Sequence, residues 1–284
     1  MFVPRKILEE KLKQLLAEDL GQGDITAASV IPANLTVKAV VIAKEEGVVA
    51  GIEETIVLAE YLGLRIIGKA VDGDKIKNKQ ILFEISGDAQ TILAAERTLL
   101  NLLSRMSGIA TKTRSLTDKL KKMGLKTRIA ATRKSAPGLL YFDKKAVIVG
   151  SGDPHRLHLD DMILIKDNHV AIIGSVEKAV RKAKANGSFT KKIEVEVTNV
   201  EDMVKAAGSG ADIVMLDNFS PKQAKEASKV LRNTGFADVL LEVSGGITSE
   251  TLMEYAAAQV DIISMGELTH SAKALDISLE IVKK

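Results

Sequence analysis

From Thr127 onward, short apolar runs alternate with longer charged segments of helical rhythm, and this alternation limits the fold more than any other feature of the chain. The apolar runs lie at 129–132, 146–149, 162–165, 193–197, 213–216, 239–243 and 262–265. Helical patterns fit between the later ones, at 175–186, 200–207, 221–233 and 249–258. Repeated strand–helix units of roughly 20 to 30 residues require parallel strands joined by crossovers, because a tight turn cannot reach a parallel neighbour. Seven such strands predict an α/β barrel, with an open doubly wound sheet as the alternative.

The first third has a different pattern. Pro4 precedes Ile7, Leu8, Leu12, Leu15 and Leu16, which recur at helical spacing. Gly21-Gln22-Gly23-Asp24 reads as a turn. Short β-branched runs at 37–43 and 81–85 predict strands, and 52–62 predicts a helix. A longer helix starting near Asp88-Ala89 is expected to break at Ser107-Gly108, with a second helical segment running to about Met123 and ended by Gly124. These patterns place an α+β domain at 1–110 and a barrel at 111–269, with a partly apolar tail, 270–284, returning to the first domain.

Composition excludes several function classes. Lys and Arg total 40 against 37 Asp and Glu, a net charge of +3 that is too balanced for a general nucleic-acid or polybasic membrane binder. The absence of Cys excludes disulfides, thiolate zinc sites and a Cys nucleophile. Aromatics at 3% and no Trp argue against a base-stacking surface. Residues 1–20 carry Glu9, Glu10, Glu18 and Asp19 rather than the apolar core of a secretion signal, and no run nears the roughly 18 apolar residues of a membrane span. A cytoplasmic protein is expected.

In a barrel the C-terminal strand ends converge on one face, where such enzymes place their active sites. The first expected strand ends at Arg133-Lys134, and the second at Gly150-Ser151-Gly152 followed by Asp153-Pro154-His155-Arg156. The third leads into Lys166-Asp167-Asn168-His169 and the fourth contains Glu196. Asp217-Asn218, Ser244-Gly245-Gly246 and Gly266-Glu267 close the last three.

These ends sort by chemistry. Arg133, Lys134, His155, Arg156 and Lys166 form a basic group whose members repel one another unless an anion with several charges lies between them. Glu196 and Asp217, on neighbouring strands, suit Mg²⁺ together with substrate phosphate oxygens; a salt bridge to Lys166 is the alternative. Ser244, Gly245, Gly246 and Gly266 sit where barrels bind phosphate, through close backbone N–H groups and the positive end of the next helix. His158 and His169 read as structural hydrogen-bonders, His169 as a helix cap.

Arg128-Ile-Ala-Ala-Thr-Arg-Lys-Ser-Ala-Pro-Gly138, Pro154-His-Arg156, Leu164-Ile-Lys-Asp-Asn-His169, Glu194-Val-Glu-Val197, Leu216-Asp-Asn-Phe219, Val243-Ser-Gly-Gly246 and Met265-Gly-Glu-Leu-Thr-His270 together resemble the quinolinate phosphoribosyltransferase family. Glu18-Asp-Leu-Gly-Gln-Gly-Asp24 and Ala95-Glu-Arg-Thr98 extend the likeness to the N-terminal half. The resemblance implies a seven-stranded, TIM-like type II phosphoribosyltransferase barrel plus an N-terminal open-faced α/β sandwich, in a homodimer or a hexamer of dimers. It implies Mg²⁺-dependent transfer of phosphoribosyl from phosphoribosyl pyrophosphate to quinolinate, giving nicotinate mononucleotide, pyrophosphate and CO₂. By the same resemblance Arg133, Lys134, His155, Arg156 and Lys166 would hold the quinolinate carboxylates and pyrophosphate. Arg97 would reach the partner subunit's site. Glu196 and Asp217 would serve Mg²⁺ and the ribose hydroxyls, and Ser244, Gly245, Gly246 and Gly266 the ribose 5′-phosphate. Lys134, Lys166, Glu196 and Asp217 are the expected catalytic residues.

The chain departs from the family pattern at Leu140, where many members carry Arg, and at Ser151 and Pro154, where Gly and Asn are usual. Three rival readings stand beside this one. They are a molybdenum-transport paralogue of the same fold, a sugar-phosphate barrel using Lys134 or Lys166 as a Schiff-base nucleophile, and an enzyme taking nicotinate instead of quinolinate.

Overall fold

A computed structural model describes residues 3–282, so the outermost residues of the expected 1–110 domain and 270–284 tail (1–2 and 283–284) lie outside the described residues. The chain forms two compact units. The first runs up to Arg114 and takes in Ile148–Ser151 and the chain from Ala272 onward; the second comprises Ser115–Val147 and Gly152–Ser271.

The chain opens with α1 (Arg5–Leu20), α2 (Ile25–Val30), β1 (Thr36–Ala43), β2 (Gly47–Val48), α3 (Ile52–Tyr61), β3 (Arg65–Gly68), β4 (Lys75–Ile76), β5 (Ile81–Asp88) and α4 (Ala89–Lys122). There follow β6 (Arg128–Ala131), α5 (Leu140–Val149), β7 (Ile163–Ile165), α6 (Asp167–Ile173), α7 (Val176–Asn186), β8 (Ile193–Val197) and α8 (Val200–Ser209). The chain closes with β9 (Ile213–Asp217), α9 (Pro221–Asn233), β10 (Leu240–Ser244), α10 (Leu252–Ala256), β11 (Ile262–Met265), α11 (Glu267–His270) and β12 (Ile277–Ile281).

The first unit carries an antiparallel sheet in the order β12-β1-β5-β3. β1 buries Ala39, Val41 and Ala43 while the residues between them stay more exposed, the alternation of a sheet covered on one face. Val41, Phe83, Leu100, Leu103 and Ile277 share one buried cluster, so the last strand completes the core begun by the first. α1 buries Leu8, Leu12 and Leu16 along one stripe, and the Asp24 carboxylate caps α2 by accepting the Ala27 N–H at 2.9 Å.

The expected helix break at Ser107-Gly108 does not occur; α4 is continuous over its 34 residues. Both residues serve packing instead. The Ser107 hydroxyl accepts the Ala50 N–H (3.0 Å) and donates to the Ala50 carbonyl (3.2 Å). A Cβ on Gly108 would lie 1.9 Å from the Lys273 carbonyl oxygen, so glycine there admits a backbone and does not end a helix.

The second unit is the α/β barrel. Its parallel strands run in the order β6-β11-β10-β9-β8-β7, so the first strand pairs with the last, which an open doubly wound sheet does not do. The expected strand at 146–149 is the end of helix α5. A four-residue apolar run cannot distinguish a strand from a buried helix segment, and here Phe142, Ala146 and Val147 recur on one buried helical face. The remaining barrel position is taken by Asp153, which bridges Ala130 in parallel through Asp153 N–H to Ile129 O (2.8 Å) and Ala131 N–H to Asp153 O (3.0 Å). No helix among the described residues is long and apolar enough to cross a membrane.

Candidate active site

Strand side chains alternate in direction, and the parallel registers carry that alternation across the sheet. Glu196 is level with Met215, Met215 with Glu242, and Ser244 with Asp217. At the C-terminal ends of these strands a cleft of about 600 Å³ opens. Arg133, Lys134, His155, Arg156 and Lys166 line it, as do Glu196, Asp217, Ser244, Gly245 and Gly246. Gly266 lines an adjoining cleft of about 300 Å³ that also meets Lys134, Gly245 and Gly246. Arg97 does not line either cleft. It is exposed on α4 and borders a hollow of about 300 Å³ in the first unit with Asp24, Thr26, Ala27, Val30, Ile31, Leu93 and Glu96.

The basic group rests on a scaffold of backbone bonds. Lys134 N–H donates to Thr132 Oγ1 at 3.1 Å, and its carbonyl accepts the Thr269 hydroxyl at 2.6 Å. Burial and the nearby Arg133 guanidinium lower the Arg156 pKa, opposed by the carboxylates of Glu194, Glu196 and Asp161. Beneath them lies Lys144, buried on α5 and not foreseen from the sequence. Its ammonium donates to the carbonyls of Ala131 and Pro154, tying the end of β6 to the His155-Arg156 segment. Burial, aided by Arg133 and Arg156 and opposed by Asp153, lowers its pKa to about 8.

His155 adopts φ +52°, uncommon for a residue other than glycine, and its N–H donates to Asp153 Oδ1 at 2.7 Å. Its ring extends to two carboxylates, Glu194 and Glu242, that are not among the residues expected from the sequence. Nε2 lies 3.2 Å from Glu242 Oε2 and 3.3 Å from Glu194 Oε2. Burial works against charge on the ring, but hydrogen bonding and Coulombic attraction to the two carboxylates prevail and raise its pKa to about 10. Burial raises the Glu194 pKa, with Glu242 adding to the effect and His155 opposing it. The signal for both glutamates was present in the strand period: Glu194 shares a face with Glu196, and Glu242 with Ser244.

On the acidic side the Lys166 ammonium donates to Glu196 Oε1 at 2.7 Å, and Asn218 Nδ2 donates to Asp217 Oδ2 at 2.9 Å. The salt bridge weighed for Glu196 is therefore present. Neither carboxylate belongs to a group of three possible metal-binding side chains among the described residues. That donor set still suits Mg²⁺, which takes one or two carboxylates and fills its remaining positions with water and phosphate oxygens.

Gly245 (φ +104°) and Gly246 (φ +60°) occupy conformations that L side chains rarely adopt. A Cβ on Gly245 would lie 2.3 Å from Asn218 Oδ1, so this turn and the Asp217-Asn218 turn fit only without a side chain there. The helix expected at 249–258 is only the five-residue α10, so the turn offers its backbone amides without a long helix dipole behind them. His169 Nδ1 accepts the Lys166 N–H at 2.9 Å and caps α6, as the sequence suggests. His158 is exposed, with its N–H bonded to Asp161 Oδ2 at 2.9 Å.

Known proteins bear the same pattern. Residues 24–107 match the family "Quinolinate phosphoribosyl transferase, N-terminal domain", and residues 109–280 match "Quinolinate phosphoribosyl transferase, C-terminal domain". The chain is 48% identical over 276 residues to the probable nicotinate-nucleotide pyrophosphorylase [carboxylating] of Methanocaldococcus jannaschii, covering 96% of each chain. It is 38% identical over 242 residues to the human nicotinate-nucleotide pyrophosphorylase [carboxylating], covering 85% of this chain and 81% of that one. Among solved structures, the Francisella tularensis nicotinate-nucleotide pyrophosphorylase superposes with a TM-score of 0.88 at 37% identity, over 99% of this chain and 98% of that one.

Proposed function

The chain belongs to the quinolinate phosphoribosyltransferase family, and from that premise we propose that its barrel mouth joins quinolinate to phosphoribosyl pyrophosphate, releasing pyrophosphate and CO₂ and leaving nicotinate mononucleotide. One observation carries the reading. A single cleft is lined by an arc of cations, by the carboxylates Glu196 and Asp217 with Glu242 beside them, and by a Gly-Gly turn, an arrangement for two polyanions with positive charge developing between them.

Arg133, His155, Arg156 and Lys166 bind the two quinolinate carboxylates, with Arg able to engage a carboxylate by two parallel bonds. Lys134 and the 244–246 turn, with Gly266, receive the phosphate groups. Departure of pyrophosphate leaves positive charge at the anomeric carbon. Glu196 and Asp217 stabilise it electrostatically and hold the ribose hydroxyls. The same two carboxylates would hold Mg²⁺, which when bound neutralises charge on the leaving pyrophosphate. After transfer the ring nitrogen is cationic. Loss of CO₂ from the adjacent carbon then leaves an electron pair that the ring itself stabilises, before a proton takes its place. Positioning and fixed charge supply the catalysis, and no strong base is needed.

Lys166 does not resemble a Schiff-base nucleophile, because its ammonium is hydrogen-bonded to Glu196 rather than set in an apolar pocket. The reading includes a cytoplasmic homodimer, or a hexamer of dimers, in which Arg97 completes the partner subunit's site. It is supported by the place of Arg97 on an exposed face of α4, among residues of the first unit only. The test is turnover with Mg²⁺ and phosphoribosyl pyrophosphate: quinolinate should yield nicotinate mononucleotide, and equal turnover of nicotinate would defeat the assignment.

A further inference from the structure

Two buried carboxylates, Glu194 and Glu242, stand at the floor of the cleft, Glu242 among its lining, and the chemistry above uses neither. Glu194 lies two residues deeper than Glu196 on β8, and Glu242 two residues deeper than Ser244 on β10. Both are 0% exposed. A carboxylate so placed is costly unless an opposite charge or a set of donors meets it. His155 meets both, with Nε2 3.2 Å from one and 3.3 Å from the other. The Ser264 hydroxyl donates to Glu242 Oε1 at 2.5 Å. Glu194 receives no hydrogen bond of good geometry from the described residues; the His155 imidazole is its ion-pair partner, and the Arg156 guanidinium adds a weaker attraction. The histidine is 12% exposed at its side chain, so the ring passes from the cleft lining down to this floor.

The protonation logic follows from the ring's two nitrogens. A neutral imidazole has one N–H and one lone pair. If it donates to the floor, it turns a lone pair toward an anion in the cleft; if it donates to the cleft, it turns a lone pair toward two carboxylates. Only the doubly protonated ring satisfies both sides. The positive φ of His155 carries a conformational cost that persists where surrounding contacts fix the residue.

We propose that Glu194 and Glu242 are positioning residues for substrate recognition: they hold His155 by Nε2 from the barrel floor, keep it an imidazolium, and so leave Nδ1–H as a fixed donor to one carboxylate of quinolinate. Selection of a ring dicarboxylate then depends on two carboxylates that act through the histidine. This inference rests on the quinolinate reading above.

The test measures KM separately for quinolinate and for phosphoribosyl pyrophosphate in Glu194→Gln, Glu242→Gln and His155→Asn, and in each Gln variant combined with His155→Asn. Loss of a charge-assisted bond predicts a rise of about 10- to 100-fold in KM for quinolinate in each Gln variant, with KM for the pyrophosphate substrate within about twofold. Glu242→Gln combined with His155→Asn should be no worse than His155→Asn alone, because Glu242 acts through that ring; Glu194 also faces the Arg156 guanidinium, so its combination should add only a loss well short of the full Glu194→Gln effect. Equal rises in both KM values, no rise, or additive losses overturn the proposal. Should a Gln variant fail to fold, ¹⁵N NMR of the ligand-free wild-type histidines decides, with His155→Asn identifying the signal: both ring nitrogens protonated at pH 8 supports the clamp, and a neutral ring overturns it. Failure of the wild type to consume quinolinate would defeat the substrate reading instead, and the NMR result would still judge the clamp.

Discussion

Lys166 and Glu196 join the ends of two adjacent parallel strands, ammonium to carboxylate, at 2.7 Å. The pair is only partly buried, with 45% of the lysine side chain and 16% of the glutamate exposed, so it adds at most about 1 kcal/mol to stability. In the proposed reaction the pair sets a cation for the acceptor ring next to a carboxylate for the ribose. Glu196→Gln should therefore lower kcat about 10- to 100-fold. Its melting temperature should stay close to wild type. Steady-state kinetics and thermal melts on one preparation check both halves.

His155 predicts a pH dependence with a definite sign. Its pKa is raised from 6.5 to about 10 in the folded protein. Its contribution to stability is thus fully present below the unfolded value and is lost as pH rises through about 10. The stability gap between wild type and His155→Asn should narrow steadily from near neutral pH to about 10, as measured by urea unfolding at several pH values. A gap that widens with pH would refute this.

Gly245→Ala should weaken the phosphate end selectively. The new methyl would lie 2.3 Å from Asn218 Oδ1 at a φ of +104°, so the turn must move. Strain of this kind costs about 1–3 kcal/mol. KM for phosphoribosyl pyrophosphate should rise more than KM for quinolinate.

Lys144→Met should destabilise the fold although it removes a buried charge. Two carbonyls, of Ala131 and Pro154, lose their donor, each at about 1–3 kcal/mol. Lys225→Ala, on the exposed side of α9, should change stability by less than about 0.5 kcal/mol. Denaturant midpoints compare the two.

Arg97→Ala and Lys134→Ala proteins, each inactive or nearly so, should recover activity when mixed under subunit exchange. A shared site leaves some mixed dimers with one intact centre. No recovery would show that Arg97 does not serve the partner subunit.

The strand–helix rhythm made the barrel legible, because a parallel sheet needs crossovers and crossovers leave a period in the sequence. The strand ends were legible too: Arg133, His155, Lys166, Glu196, Asp217 and Gly245 all line one cleft. The misread segments share a cause. Residues 146–149 and Ser107-Gly108 have local signals of strand and break, and in each the tertiary setting prevails: a buried helical face in one, the close approach of Lys273 to the helix in the other. Lys144 was hidden because a lysine in a charged segment reads as solvated until its carbonyl partners are known. Glu194 and Glu242 obey the period-two rule, but a glutamate inside a strand shows its charge partner only when His155, distant in sequence, is placed against it.

The most direct measurement uses quinolinate labelled with ¹⁴C in one carboxyl group at a time, with phosphoribosyl pyrophosphate and Mg²⁺ present. The account predicts that label leaves as CO₂ only from the carboxyl next to the ring nitrogen, in equal amount to pyrophosphate, and that the other carboxyl stays in nicotinate mononucleotide. Pyrophosphate released without CO₂, or label lost from the other carboxyl, would contradict it.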